Sequence, residues 1–367
     1  MKMDIKKNIS DRNYGIDLLR IIAMIMIPVL HVLGHGGVLE ATKGLTLKGE
    51  MAWFLEIAMY CATDIYGLIS GYVGYGREQK FSNLVYLSFQ VVFYTVFITM
   101  LFCIFKPQVI SIRTLYEAPF PIMYNTYWYF TAYFCLFFFM PFLNKILENF
   151  EEYTMRKLLI STFIVFSFLP AFLGKDIART MNGYSFLWLA VLYIVGGYIK
   201  KYGYTFKRNN KTYLLTYLFG VVFVWILRFI GQILNEKIFG IEKIVLQERV
   251  VNYTSPLIIV CAVTLVLLFK EINCGSKLIK FIRFFAPLSF GVYLFHEEPL
   301  IKNNFIEDHF EIYATYNPLL MIFCVIATAI IIWFLGSLVD MIRLKIFDYL
   351  EIKRLCLWIE RKISKII

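Results

Sequence analysis

The chain has 367 residues and a mass of 43.2 kDa, with 59% apolar, 18% aromatic and only 17% charged residues and a mean hydropathy of +0.66. An average soluble domain is about 45–50% apolar and about 25% charged, so a soluble fold, a disordered chain and a disulfide-stapled secreted scaffold are all excluded. What remains is an integral membrane protein whose formal net charge of +11 must be explained by where the charges sit.

A spanning helix needs about 20 mainly apolar residues. Ten runs qualify: 14–34, 51–73, 83–105, 127–146, 157–174, 183–200, 212–234, 253–270, 282–300 and 318–343. Those at 157–174, 183–200, 253–270 and 282–300 are short or interrupted by polar groups. The expected fold is all-α, a bundle of about ten transmembrane helices. With the N-terminus in the cytoplasm, the inner segments carry 25 lysines and arginines and the outer loops 10, while Arg20 and Arg228 lie within helices. This bias follows the positive-inside rule with both termini cytoplasmic. The charge then belongs to topology and to the anionic leaflet of the lipid bilayer. No aromatic and basic residues interleave on a soluble domain, so no nucleic-acid partner is expected. Residues 1–343 read as one transmembrane domain. Residues 344–367 mix Leu, Ile and Trp358 with Lys and Arg and read as a cytoplasmic, basic, amphipathic tail.

The first run is not a cleaved signal, because Asp17 and Arg20 interrupt it and no small-residue cleavage site follows. The seven cysteines lack paired spacing, which argues against disulfides and metal sites.

Ionisable groups inside spans are costly, and each marks a functional site or a structural pair between helices. In the first run Asp17 and Arg20 are three apart and can pair on one helical face. Arg20 and His31 are eleven apart, which returns to the same face about 16 Å further along the axis. Pro28 cannot donate to the carbonyl of Met24 and should kink or open the helix before His31. Gly34, Gly36 and Gly37 then end it. His31 suits a proton-transfer group, or a histidine hydrogen-bonded between helices. His31 and His35 have the spacing of a zinc pair, yet no glutamate stands between them and no third ligand is evident, so no metal is expected.

In the second run Gly67 and Gly71 form a small-residue face for close packing, and Asp64 should point into the bundle. Arg77 and Lys80 follow, three apart, suited either to gripping phosphate or to anchoring at the inner surface. Trp128 and Tyr129 open the fourth run as part of an aromatic belt. In the ninth run Ser289, Tyr293 and His296 share a face, and Glu297 stands beside His296, where a carboxylate can orient the ring and raise its basicity.

Together these pieces resemble the membrane-bound acyltransferase 3 family. Its first helix carries Asp-x-x-Arg, ten residues and a histidine, matching Asp17, Arg20 and His31. Its second reads Asp-x-Phe-Phe-x-x-Ser-Gly-Phe, matched by Asp64 to Tyr72 with changes at the aromatic positions. The Arg-x-x-Arg that follows is Arg77 and Lys80 here, and a lysine is less suited to bidentate phosphate binding. Trp128-Tyr129 matches an aromatic pair, and Ser289, Tyr293, Leu294 and His296 match a late Ser-x-x-x-Tyr-Leu-x-His.

The resemblance implies an enzyme of the bacterial plasma membrane that moves an acyl group, usually acetyl, from cytoplasmic acyl-CoA (acetyl-CoA) to a hydroxyl of an extracytoplasmic or lipid-linked cell-surface glycan. Transfer is either direct or through a separate extracellular acyl acceptor protein. On this reading Arg77, Lys80 and Arg20 hold the CoA phosphates, and the pantetheine arm follows the stripe from Arg20 to His31. His31 acts as general base, Asp17 fixes Arg20, and His296 and Glu297 orient the acceptor or His31. Tyr129 and Tyr293 donate to the oxyanion, and Trp128 faces a sugar ring. The rival from another class is a multi-spanning transporter or flippase of a polysaccharide precursor. No internal repeat supports it.

Overall fold

The structure, a computed structural model, describes residues 12–203, 208–234 and 249–364. The charges at Lys2, Lys6, Lys7, Lys207, Lys237, Lys243 and Lys365 that entered the topology reading lie outside the described residues.

All major elements are helices. They are α1 (Tyr14–Leu33), α2 (Leu47–Met59), α3 (Ala62–Gly74), α4 (Phe81–Phe105), α5 (Trp128–Asn149), α6 (Glu152–Phe163), α7 (Phe186–Tyr202) and α8 (Asn210–Leu234). There follow α9 (Pro256–Lys270), α10 (Ser276–Phe285), α11 (Ser289–His296), α12 (Pro299–Phe305), α13 (Pro318–Tyr349) and α14 (Ile352–Ile363). Among the described residues, eight helical stretches are long and apolar enough to cross a membrane, some of them built from consecutive helices. The protein is therefore a multi-pass membrane protein. Each of the ten expected runs coincides with helix, but α7, with 17 residues, stands at the lower limit of a span, and α9, with 15, falls short of it. The run at 157–174 continues from α6 through a wide turn at Ile164–Phe168, and the run at 282–300 is broken by a tight turn at Ala286–Leu288.

Caps fix where the site-bearing helices begin. The Asn13 side chain accepts from the Ile16 N–H at the start of α1, and Thr46 accepts from Gly49 at the start of α2. Pro28 does not end α1, which runs on to Leu33. Gly37 turns the chain with φ +84°, a conformation that costs glycine nothing.

The glycine face expected on α3 meets a matching one on α7. A Cβ at Gly71 would lie 1.9 Å from the Tyr193 carbonyl oxygen, and one at Gly196 would lie 2.0 Å from that of Leu68. The two backbones touch, as small residues in membrane helices permit. Asp64 points inward as expected: it is fully buried and accepts from the Trp188 indole at 3.0 Å.

Two buried ion pairs tie other helices together. Arg228 on α8 pairs with Glu50 on α2 at 2.7 Å. Asp340 on α13 accepts from Gln90 and Tyr94 of α4 and is held at both oxygens by Arg343, itself 2% exposed. Arg343, one of the charges counted on the inner side, is the inward half of this polar cluster. α13 also carries helix past residue 343, so the amphipathic helix is α14. There Cys356 is buried, Trp358 is exposed, and Glu360 accepts from the Ser82 N–H at 3.1 Å. That bond, chiefly, holds the Glu360 carboxyl below its usual range.

Candidate functional site

α1 is the spine of the site. Near its start, Asp17 accepts from Arg20 at 2.9 Å and from Arg12 at 2.7 Å, so one carboxylate holds two guanidinium groups. These residues line a basic mouth with Arg77 and Lys200. A second cavity shares Arg20, Val73 and Arg77 with the mouth and extends between α3, α5 and α11 past Ser70, Tyr133 and Ser289. A third shares Tyr66, Tyr129 and Phe290 with the second and ends at His31, Trp128, Tyr293 and Glu297. Shared walls make these three adjoining compartments, running from the arginines at one end of α1 to the histidine at the other.

The far chamber is small, with a cavity volume of about 50 Å³. His31 Nδ1 lies 3.1 Å from His296 Nε2 and 3.1 Å from Glu297 Oε1, and only the contact with His296 has hydrogen-bond alignment. His296 Nδ1 lies 2.6 Å from the Val292 carbonyl. A carbonyl only accepts, so neutral His296 carries its proton on Nδ1 and offers a lone pair at Nε2. His31 then donates from Nδ1, which leaves its own Nε2 bare as a base. Glu297, 3.1 Å away, is placed to stabilise the ring once it is protonated. Tyr293 OH, in the same chamber, is buried with no hydrogen-bond partner among the described residues, a donor without an acceptor.

The residues singled out in the sequence divide as follows. Asp17, Arg20 and Arg77 meet at the mouth, while His31, His296, Glu297, Trp128, Tyr129 and Tyr293 meet at the chamber. Lys80 lines neither cavity and stands exposed at the start of α4, within electrostatic reach of Glu360.

Sequence reasoning missed Arg12 and Lys200, counted only as topology charges, and Tyr66, Phe290 and Tyr253. It also missed Tyr184, whose ring lies 4.5 Å from Trp128 and 5.1 Å from Tyr253. The loop carrying Tyr184 is pinned by Asp176, which accepts from Thr180 and Asn182. Partial burial pushes the Asp176 carboxyl up, but these bonds outweigh it and hold the group below its ordinary range. No periodic signal marks such loop residues.

One expectation about metals changes. A third ligand for the His31–His35 pair does exist: Glu297 arrives from the elbow between α11 and α12, with all three ligand atoms within 4.8 Å of one another. Zinc bonds of about 2.0–2.1 Å set tetrahedral donors roughly 3.3 Å apart, so the set is more open than a closed zinc site.

A multi-pass membrane helix bundle with a basic mouth joined to a buried histidine chamber is the class of protein that this fold and site define. The chain belongs to the acyltransferase domain family, which it matches over residues 13–338. No curated protein and no solved structure matches it. Membership makes it a membrane acyltransferase.

Proposed function

We propose that this protein is an O-acyltransferase that moves an acyl group, most simply acetyl, from cytoplasmic acyl-CoA to a hydroxyl of an extracytoplasmic or lipid-linked cell-surface glycan. The observation that carries this reading is the run of adjoining cavities from Arg20 and Arg77 to His31. Phosphates of the CoA would sit on Arg20 and Arg77, aided by Arg12 and Lys200, where charge-assisted hydrogen bonds are strong. The separation of Arg20 and His31 along α1, about 16 Å, suits an extended thioester arm lying between them. In the reaction, His31 Nε2 takes the proton of the acceptor hydroxyl as its oxygen attacks the thioester carbonyl. The C–S bond then breaks, and the CoA sulfur leaves with the proton that His31 returns. Tyr293 OH would donate to the oxyanion, and Trp128 would face the sugar. Both termini would lie in the cytoplasm.

The chemistry proposed needs no metal, because the His31–His296–Val292 relay already sets the tautomer of the base. The decisive experiment is His31→Ala in a strain lacking the native gene, with glycan O-acetylation as the readout. General-base catalysis contributes about 10²–10⁴-fold, and a loss of that size is expected. Wild-type acetylation by a folded, membrane-inserted variant would overturn the mechanism. In the same assay a chelator should leave the wild-type rate unchanged; loss restored by zinc would assign His31, His35 and Glu297 to a metal instead.

A further inference from the structure

A second cavity lies on the other side of the elbow that carries Glu297. It sits beyond Thr95 and Thr99 of α4, at the end of that helix away from Arg77, and the short helix Ile112–Glu117 and the start of α12 complete its walls. Its volume is about 370 Å³, within the range of about 300–1,000 Å³ typical of small-ligand sites. The His31 chamber, at about 50 Å³, has room for a reacting hydroxyl but not for the bulk of a glycan.

The lining of this cleft is mainly hydroxyl, amide and carboxylate, with Val109, Ala118, Pro299 and Leu300 between them, and no lysine or arginine lines it directly. The Thr99, Thr126 and Asn303 side chains make no hydrogen bond within the described residues, so they are left for a ligand. Glu298 is 3% exposed. Its Oε2 accepts from Leu300 and Ile301 N–H, and its Oε1 is left for the cleft. Glu117 is already paired with Arg113 at 2.6 Å, so Glu298 is the carboxylate that no cation pairs among the described residues. Mixed donors and acceptors beside that one carboxylate fit a polyol and disfavour an anion.

Two pairs of neighbouring residues tie the cleft to the catalytic chamber. Glu297 lines the chamber and Glu298 the cleft, and Trp128 lines the chamber and Thr126 the cleft. The wall between them is Tyr127, which is buried and donates to the Leu294 carbonyl at 3.0 Å.

We propose that this cleft is a glycan-binding subsite that holds sugar units flanking the one acylated, taking neutral or amino sugars and rejecting uronic-acid or phosphate-bearing ones. The proposal rests on the acyl-transfer reading for the class of acceptor. It adds where the acceptor is held and which charge it carries.

The test uses the full chain in lipid nanodiscs without acyl donor, titrated with three tetrasaccharides: a neutral N-acetylhexosamine oligomer, its de-N-acetylated amino form and a uronic-acid oligomer. The neutral and amino probes should bind saturably and the uronic-acid probe at least tenfold more weakly. Asn303→Trp, at the rim, should weaken both by tenfold or more while acyl-CoA binding stays unchanged. Glu298→Gln, isosteric and able to keep both cap bonds, should narrow the discrimination against the uronic-acid probe, and it decides the matter where the tryptophan disturbs folding. Absence of saturable binding, equal binding of the uronic-acid probe, or binding unchanged in both variants would overturn the proposal. Probe binding without acylation when acyl-CoA is added would count against acyl transfer and leave the cleft standing. Acylation with unchanged acceptor KM in both variants would remove the cleft alone.

Discussion

Arg20 and His31 do different work at opposite ends of one helix. Arg20 is held by Asp17 at 2.9 Å, so its guanidinium is already oriented before any ligand arrives. Charged hydrogen bonds contribute about 1.5–3 kcal/mol, which corresponds to roughly 10–100-fold in binding. Arg20→Ala should therefore raise the KM for acyl-CoA by that factor and leave the acceptor KM in place, measured by steady-state kinetics in proteoliposomes. Unchanged dependence on acyl-CoA would remove Arg20 from the site. The Asp17–Arg20 pair was legible in the sequence because both members lie on one helical turn. The relay on His31 was only half legible. His296 and Glu297 stood out as polar groups in an apolar run, but nothing in a linear pattern says that residues some 265 positions away close on His31 Nδ1.

Among the helices, the α3–α7 contact decides whether the passage keeps its shape. Tyr66 and Ser70, which line the cavities, share α3 with Gly71, whose backbone touches Tyr193. Gly71→Ala puts a methyl into a carbonyl that cannot withdraw without moving α7. Overpacking of this kind costs about 1–3 kcal/mol, so thermal unfolding in detergent should shift down by several degrees. Gly275→Ala has open space around it and an ordinary extended backbone, and should change little. A larger effect at Gly275 than at Gly71 would contradict the packing argument. The glycine spacing on α3 was readable, but its mate on α7 was not, because a small-residue face does not name its partner. Pro28 shows the opposite limit: a local rule foresaw a kink or opening, yet α1 stays helical through it.

For the whole molecule, the orientation of the bundle sets which substrate meets which end. If both termini are cytoplasmic, the basic mouth opens toward soluble acyl-CoA and the histidine chamber toward the outer surface. Epitope tags at the two ends should be hidden from antibody in intact cells and appear after permeabilisation. A tag exposed on intact cells would reverse the assignment of donor and acceptor sides. The ten apolar runs all became helix, since apolar length is a one-dimensional property that lipid reads directly. The division into full spans was less legible: α7 stands at the lower limit and α9 falls short, and Arg343, at the end of the last run, is buried against Asp340.

By itself, the sequence determined that this is an all-helical membrane protein, that Asp17 and Arg20 share a turn, and that His31 lies further along the same stripe as Arg20. These follow from hydropathy and helical period, which act over short distances along the chain. Only the tertiary structure decided that Glu297 and His296 meet His31, that Arg12 and Lys200 join the mouth while Lys80 does not, and that a polar cleft lies behind Glu298. Each of those joins distant segments through packing, and packing depends on shape in three dimensions that no local pattern records.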